Sequence, residues 1–236
     1  MSLWLAKMNR PPLSLLHHCS RFAVVDKPAG MIVHRSGWCE DGEPVLQLLR
    51  DQLGQHVYPV HRLDRGTSGV LVFALDPEAA RHLGEQFAAH TVDKRYLAVV
   101  RGWPTERGVV DSPLVDPSTA GRDPPVPPQS AVTEFWRRGT VELPIAVGRY
   151  ATARYALMEA RPRTGRTHQI RRHFGHLRHP IVGDVCYGDG RHNRMWREVL
   201  GRPGLMLRAV SIGFIDLDGN AVQVTAPLEM VLPVAE

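Results

Sequence analysis

Residues 61–75 read HRLDRGTSGVLVFAL, and this stretch joins a charged loop to a predicted buried strand. Its second half, GVLVFAL at 69–75, is a short apolar run bounded by turn residues, which is typical of a core β-strand. Its first half places Asp64 between Arg62 and Arg65. Each of these charged groups is costly to desolvate unless it is paired. The pattern fits either a surface salt-bridge cluster ahead of a core strand or a carboxylate held in an arginine-lined cleft.

The composition is that of a globular protein with a basic bias. The chain has 236 residues, 43% of them hydrophobic, which is enough to bury a sizeable core in one large domain or two small ones. The net charge of +5 and the pI of about 9.4 favour a polyanionic partner without identifying it. The longest apolar run, at 70–75, is too short to span a bilayer, and the amino terminus lacks the apolar stretch of a signal peptide. We therefore expect a soluble protein without a membrane partner.

The three cysteines, Cys19, Cys39 and Cys186, are an odd number and form no CxxC pair. This argues against both a disulfide framework and a thiolate zinc site. A reducing compartment suits unpaired thiols, so we expect a cytoplasmic location.

The order of predicted elements favours a mixed α+β fold. A helix is predicted near 43–55, and Asp76, Pro77 and Glu78 have the capping pattern that opens a second one. Strands are predicted at 22–25, 69–75, 95–103, 131–136, 153–160, 206–214 and 221–227. The strands outnumber the helices and return by turns as often as by helices. This predicts a mixed, largely antiparallel sheet with flanking helices rather than a doubly wound fold.

The predicted division of the chain is a single main domain at 22–236, preceded by an extension and a first strand at 1–21. Within the main domain, the run PSTAGRDPPVPPQS at 117–130 is too rich in Pro, Ser and Gly for a packed element. We interpret 104–130 as a mobile insertion loop inside this domain.

The second informative stretch is TGRTHQIRRHFGHLRHP at 164–180. Ile170, Phe174 and Leu177 have the spacing of one core-facing helical stripe, and Pro180 ends the pattern. The residues off this stripe are basic or polar: His168, Arg171, Arg172, His173, His176 and Arg178. Residues 161–179 contain six arginines, four histidines and no acid. Without a balancing acid such a face repels itself, which favours an anionic ligand.

Three interpretations of this basic helix remain: a solvated charged face, a metal site, or a surface that binds the nucleic-acid backbone. Histidines five residues apart diverge on a helix, no carboxylate or thiolate ligand lies nearby, and the arginines would repel a divalent cation, so no metal is expected. Arginine grips phosphates in a fork geometry, and a helix amino terminus adds donors.

Asp64 acquires a chemical meaning if it lies in an RNA-facing cleft beside an arginine. A neighbouring guanidinium favours the charged form of a carboxylate, which is then ready as a nucleophile or base. Hydrolysis of a glycosidic bond normally uses two acids, one of them to protonate the leaving group. Neither motif offers a second acid, which favours a reaction in which the leaving base stays bound and is reattached.

Four motifs together resemble those of the RluA-type pseudouridine synthases. HRLDRGTSGVLVFAL resembles the family's catalytic pattern H-R-L-D-x-x-T-S-G, and DKPAGMIVH at 26–34 its N/D-K-P-x-G motif. KRYLAVVRG at 94–102 resembles its K-x-Y strand, and TGRTHQIRRHFGHLRHPIVGD at 164–184 its T-G-R-x-H-Q-I-R motif. The stretches GQHVYPVHRLDR and LPIAVGRYATARYAL resemble the subfamily that modifies uridine 65 of transfer RNA.

The resemblance implies the pseudouridine synthase catalytic fold and three catalytic residues. Asp64 would be the catalytic aspartate, which lets the target uracil detach, rotate and rejoin through C5. Tyr96 would stack on the flipped base and assist proton transfer from C5. Arg166 would pair with Asp64 and hold it ionised. Whether Asp64 attacks the ribose, attacks the base or removes a sugar proton stays open.

The resemblance also implies a substrate surface and an RNA partner, transfer RNA foremost, with no metal, organic cofactor or obligate protein partner. Leu207 would pack against the uracil, although the family's usual L-H-A is replaced here by Leu207-Arg208-Ala209. The residues expected to bind substrate are His61, Arg62, Arg65, His168, Arg171, Arg172 and Leu207. Two alternatives stay open: a synthase for ribosomal RNA, and a non-catalytic RNA-binding module.

Overall fold

The strand predicted at 69–75 forms at Ser68–Ala74, in the middle of a large sheet. The computed structural model describes residues 11–35, 43–119 and 123–233. Their strands are β1 Ser14–His18, β2 Phe22–Lys27, β3 Tyr58–Pro59, β4 Ser68–Ala74, β5 Asp93–Arg101, β6 Arg107–Asp111, β7 Val132–Leu143, β8 Ala153–Pro162, β9 Leu207–Ile215 and β10 Ala221–Thr225. Their helices are α1 Val45–Leu53, α2 Pro77–Ala88, α3 Gln169–His176 and α4 Gly190–Glu198.

The strands form one sheet in the order β1-β2-β4-β9-β5-β8-β7-β6, with β10 paired to β9 and β3 to β4. Among the described strands only β4 and β9 run parallel. The prediction of a mixed, largely antiparallel α+β fold is therefore confirmed. The first strand expected within 1–21 forms at Ser14–His18 and pairs with β2.

Both faces of β4 are buried, which explains its unbroken apolar sequence. Leu71 and Phe73 contribute to a cluster that includes Val45 and Leu49 of α1. Their alternating neighbours on β4 contribute to a second cluster with Ala79 and Leu83 of α2: Val70 and Val72. The two helices thus cover opposite faces of the same strand.

The amino-terminal cap of α2 forms as predicted. The Asp76 side chain accepts a hydrogen bond from the Ala79 amide at 2.9 Å, and Pro77 occupies the first turn. This cap fixes the point at which the chain leaves β4 and turns back across the sheet.

The parallel pairing of β4 with β9 places three strands of the future site side by side. Gly69 lies opposite Ala209, which in turn lies opposite Tyr96 of β5. Gly69 has φ +106°, and a Cβ there would lie 2.0 Å from the Ala209 carbonyl oxygen. Only glycine fits this approach, so the charged loop that precedes β4 is brought beside Tyr96.

The interpretation of 104–130 as one insertion loop is wrong for its first part. Arg107–Asp111 forms β6, which pairs with β7 at the edge of the sheet, because its two valines favour extended backbone beside a strand partner. Leu114 and Gln129 then pair across the base of the remaining segment. The Pro-rich run at 117–130 stays irregular apart from a single 3₁₀ turn in its described part, and residues 120–122 lie outside the described ranges.

No helix in the part of the chain that the structure describes is long and apolar enough to cross a membrane.

Candidate active site

A cavity of about 290 Å³ opens between the loop before β4, the start of β5 and the segment that leads into α3. Its volume is near the lower end of the range for small-molecule sites, about 300–1,000 Å³. The predicted residues that line it are His61, Arg62, Asp64, Tyr96, Arg166, His168, Arg171 and Leu207. Asp64 is the only carboxylate among the described residues of this lining.

Asp64 presents its two oxygens differently. Oδ2 accepts a hydrogen bond from Arg171 Nη1 at 3.0 Å, and His168 Nε2 lies 3.9 Å from the same oxygen. Oδ1 accepts no hydrogen bond from any residue within the described ranges, and the side chain is 22% exposed. The carboxylate is therefore fixed through one oxygen while the other remains available to a ligand in the cavity.

The predicted pairing of Arg166 with Asp64 is wrong. Arg166 lies in the loop before α3, where its amide donates to Gln169 Oε1 at 3.0 Å and its Nε donates to the Ser130 carbonyl at 3.0 Å. The helix begins at Gln169, which places Arg171 in its first turn, opposite Asp64. Arg166 still lines the cavity, but Arg171 forms the ion pair.

Asp184 is a part of the site that the sequence analysis missed. Its carboxylate accepts hydrogen bonds from Arg171 Nε at 2.7 Å and from Arg171 Nη2 at 2.9 Å. Nη1 of the same guanidinium donates to Asp64. The Asp184 side chain is fully buried and also accepts the amides of Cys186 and Tyr187. A bidentate pair of this kind fixes the plane of the guanidinium, so Asp184 sets the direction from which Arg171 meets Asp64.

The hydrogen bonds to Asp184 outweigh its burial. Burial alone raises the pKa of this carboxyl, but the Arg171 guanidinium and two backbone amides together hold its pKa below the usual value. The sequence feature that could have indicated Asp184 is the Gly183-Asp184 pair at the end of the fourth motif. Gly183 has φ +78°, and a Cβ there would lie 1.7 Å from the Gly204 carbonyl oxygen, so the turn requires glycine.

Tyr96 and Leu207 provide the apolar walls of the cavity. Tyr96 lies on β5 and packs against two core clusters, and Leu207 begins β9 with only 3% of its surface exposed. Burial, and secondarily the negative charge of Asp64, raises the pKa of the Tyr96 phenol. The ring is therefore neutral at physiological pH and offers a flat apolar face.

The three other predicted residues of the HRLDR motif have separate environments. His61 Nε2 accepts the Val72 amide at 3.0 Å, and its ring stacks on Phe87 with centroids 4.5 Å apart. Burial, and secondarily the charge of Lys94, lowers the pKa of His61 to about 3, so this residue supports the loop as a neutral ring. Arg62 is exposed at the cavity. Arg65 Nε donates to the Gly30 carbonyl at 3.0 Å, and Arg65 is not among the residues that line the cavity.

The basic helix, Gln169–His176, is more internal than predicted. Its apolar stripe is confirmed, since Ile170 and Phe174 are buried in the core. The predicted outward basic face is only partly formed: Arg171 is buried, and His173 contacts the Thr133 hydroxyl and the Ser112 carbonyl. The reason is that the segment between β6 and β7 crosses this face and supplies acceptors to it.

Two further residues of this region bind the protein itself. Arg172 Nη1 donates to the Val115 carbonyl at 2.8 Å, outside the cavity lining. His168 lines the cavity and contacts the Tyr187 hydroxyl through Nδ1 at 3.1 Å. Within the described ranges, no three His, Cys, Asp or Glu side chains cluster as metal ligands would.

Arg208, which replaces the histidine of the family's L-H-A, forms a buried ion pair. Its Nη2 donates to Asp26 Oδ2 at 2.6 Å, and its side chain is 5% exposed. Arg208 is not among the residues that line the Asp64 cavity. The substitution therefore joins β9 to β2 rather than changing the cavity.

Lys27, in the DKPAG turn, is a second residue that sequence reasoning missed. Its buried ammonium donates to the carbonyls of Pro28, Met31 and Arg65 at 3.0, 2.7 and 3.2 Å. Burial lowers the pKa of this amine to about 8, and the charge of Asp64 opposes the shift. Lys27 thus ties the DKPAG turn to the loop that carries Asp64.

Comparison with known proteins identifies the chain. The family model for RNA pseudouridylate synthase matches residues 21–176, which include Asp64, Tyr96 and Arg171. The chain belongs to the RNA pseudouridylate synthase family. The family resemblance predicted from the four motifs is thereby confirmed.

Members of the family at high identity and solved structures agree with this assignment. The tRNA pseudouridine synthase C of Vibrio cholerae is 50% identical over 211 residues, which cover 86% of this chain and 85% of that protein. The Haemophilus ducreyi protein of the same name is 48% identical over 207 residues, with the same coverage. The structure of human RNA Pseudouridylate Synthase Domain Containing 1 superposes with a TM-score of 0.71 at 27% identity, covering 91% of this chain and 83% of that one. For human Domain Containing 4 the TM-score is 0.67, again at 27% identity, covering 91% and 88%.

Proposed function

We propose that this pseudouridine synthase isomerises uridine to pseudouridine in transfer RNA, with Asp64 as the residue that starts the reaction. The observation that carries the proposal is the Asp64 carboxylate itself, which Arg171 holds through one oxygen at the edge of an apolar-walled cavity. The names of the Vibrio cholerae and Haemophilus ducreyi relatives support transfer RNA as the substrate.

The cavity suits a base that is detached and kept. Tyr96 and Leu207 offer apolar surfaces on which a flipped uracil can be held. Extrusion of a base from a helix costs a few kcal/mol, and stacking on an aromatic ring returns about 1–3 kcal/mol of this. Among the described residues that line the cavity, no second carboxylate accompanies Asp64 to act as the acid of a hydrolase. The uracil therefore leaves C1′ through N1, rotates in place and rejoins through C5.

Tyr96 acts mainly as the stacking surface in this scheme. Because its pKa is raised, the phenolate is scarce at neutral pH, and Tyr96 is a poor general base for the proton on C5. The unpaired Oδ1 of Asp64 is the better acceptor at that step. The reaction gains no atoms and exchanges no electrons, so it requires no redox cofactor.

We further infer that the target is uridine 65 and that the protein acts in the cytoplasm. The stretches GQHVYPVHRLDR and LPIAVGRYATARYAL support uridine 65 as the target. Cys19 and Cys186 are both unpaired, which supports a reducing, cytoplasmic setting.

The test is pseudouridine mapping on unmodified tRNA transcripts incubated with purified protein. We expect one modified position, uridine 65, and no product with Asp64→Asn. Asp51→Asn is the matched control, because this aspartate is exposed on α1. Mapping in a deletion strain separates the alternatives: loss confined to ribosomal RNA would replace transfer RNA as the substrate. Unchanged RNA together with intact RNA binding would favour a non-catalytic module.

A further inference from the structure

Lysine is rare in this chain, and its positions are therefore informative. Three of the 29 basic side chains are lysines, at positions 7, 27 and 94, and the others are arginines. Lys27 is buried and fully bonded to carbonyls, as described above. Lys94 is the other lysine within the described ranges, and its ammonium has a different environment.

Lys94 lines the same cavity as Asp64. It lies at the start of β5, two residues before Tyr96, and its Nζ contacts the Thr164 carbonyl at 3.4 Å. A Cβ placed on Gly165 would lie 3.9 Å from this Nζ. The ammonium therefore lies against the loop that leads into α3, and the exposed His90 also contributes to the lining of this cavity.

The Lys94 ammonium is poorly satisfied by the protein. No carboxylate within the described ranges forms a salt bridge with it, and its hydrogen bond to Thr164 exceeds the usual N–H···O range of about 2.7–3.2 Å. Burial lowers the pKa of this amine, although Asp93 opposes the shift. Lys27, by contrast, donates to three carbonyls. An ammonium with unused donors in a cavity is costly unless a ligand supplies acceptors.

We propose that the Lys94 ammonium binds a phosphate oxygen of the flipped nucleotide, an inference that rests on the proposed function. The apolar walls of Tyr96 and Leu207 suit the base, which leaves the cationic part of the same lining, Lys94 included, to the sugar and phosphate. A phosphate group supplies a negative charge and several acceptor oxygens, which the described residues around the Lys94 ammonium do not supply. Lys94 is thereby a substrate-positioning residue that acts on the backbone of the RNA.

The test measures the salt dependence of tRNA binding with Lys94→Met and Lys94→Arg, both in an Asp64→Asn background that prevents turnover. One lost phosphate contact lowers the slope of log K against log salt concentration by about 0.7–1. At low salt we expect Lys94→Met to bind roughly ten- to a hundredfold more weakly, the value of a hydrogen bond to a charged group. Lys94→Arg should recover most of the slope. Arg81→Met, an exposed arginine of α2 outside the cavity lining, is the control for simple loss of charge and should keep the slope of the parent.

A slope unchanged by Lys94→Met, or changed equally by Arg81→Met, would overturn the inference. Reductive methylation of the Asp64→Asn protein gives an answer that does not depend on how Lys94→Met folds. Bound tRNA should protect Lys94 from the reagent, as read by mass spectrometry, and equal modification with and without tRNA would contradict the proposal. If the unsubstituted protein bound tRNA through Lys94 but formed no pseudouridine, the proposed function would fail while this inference stood.

Discussion

Arg171, in the first turn of α3, donates a hydrogen bond from Nη1 to Asp64 Oδ2 at 3.0 Å. Its Nε and Nη2 donate to the carboxylate of Asp184. The Arg171 side chain is 8% exposed, so the two carboxylates compete little with water for it. The position of the Asp64 carboxylate therefore depends, through one shared arginine, on Asp184, a residue 120 positions away in the chain.

Replacement of Arg171 should remove activity and stability together. Arg171→Met leaves the buried Asp184 without its cation, and the loss of one partner of a buried pair costs about 3–5 kcal/mol. We expect the free energy of unfolding in urea to fall by that order and pseudouridine formation to be lost. Arg166→Met is the control, because Arg166 contacts a backbone carbonyl rather than Asp64. An Arg166→Met protein more impaired than Arg171→Met would contradict this assignment.

Asp184→Asn should separate positioning from charge. An asparagine keeps the shape but loses the charged bidentate pair, so we expect a destabilisation of about 1.5–3 kcal/mol, as for hydrogen bonds to charged groups. The rate at saturating tRNA should fall while the KM for tRNA changes little, since Asp184 is shielded from the cavity by Arg171. Single-turnover kinetics and urea unfolding measure the two effects. Asp218→Asn, in an exposed turn, should change neither quantity. If Asp184→Asn instead raised the KM for tRNA and left the rate unchanged, Asp184 would be in direct contact with the substrate.

His61 predicts a specific acid sensitivity. Its folded pKa of about 3 lies below the ordinary value of 6.5, so between these pH values the unfolded chain binds a proton that the folded chain does not. Stability therefore rises with pH across this window and falls as the solution is acidified, by at most about 1.4 kcal/mol per pH unit from this residue. His61→Gln keeps an acceptor for the Val72 amide but does not titrate. The difference in unfolding free energy between the two proteins should shrink or reverse as the pH falls from 6.5 to 3, and a constant difference would contradict the buried neutral state.

The Asp26–Arg208 pair should behave as a coupled unit that affects stability more than catalysis. Arg208→Met leaves Asp26 unpaired, and Asp26 Oδ1 is already buried without a partner among the described residues. We expect a loss of several kcal/mol, on the order of 3–5. Asp26→Asn combined with Arg208→His, the residues found in related motifs, should recover part of that loss. A double-mutant cycle by urea unfolding measures the coupling. Additive effects, or a loss of rate with stability intact, would show that Arg208 acts on the substrate.

Local patterns in the sequence were sufficient to predict most of the elements. The apolar run of β4 and the Asp76 cap of α2 were both predictable, because each depends on neighbouring residues. The strand at Arg107–Asp111 was missed because its stability comes from pairing with β7, whose paired residues lie 21–29 positions further along the chain. The neighbouring Pro-rich run at 117–130 led to a predicted loop, 104–130, that wrongly included this strand.

The site was predicted as a set of motifs but not as a set of contacts. Asp64, Tyr96 and Leu207 lie together at one cavity as expected. The family resemblance assigned the pair with Asp64 to Arg166, whereas the fold brings Arg171, in the first turn of α3, to Asp64. Asp184 and Lys27 support the site through buried hydrogen bonds, to Arg171 and to the Arg65 carbonyl respectively. These bonds join residues far apart in the chain, so the spacing of residues within a motif does not predict them.

The role of Asp64 in starting the reaction can be measured by the release of tritium from [5-³H]uridine in a tRNA transcript. We expect the unsubstituted protein to release tritium and Asp64→Asn to release none, while Asp64→Asn binds tRNA as tightly as the unsubstituted protein. Tritium release by Asp64→Asn at the rate of the unsubstituted protein would show that another group starts the reaction.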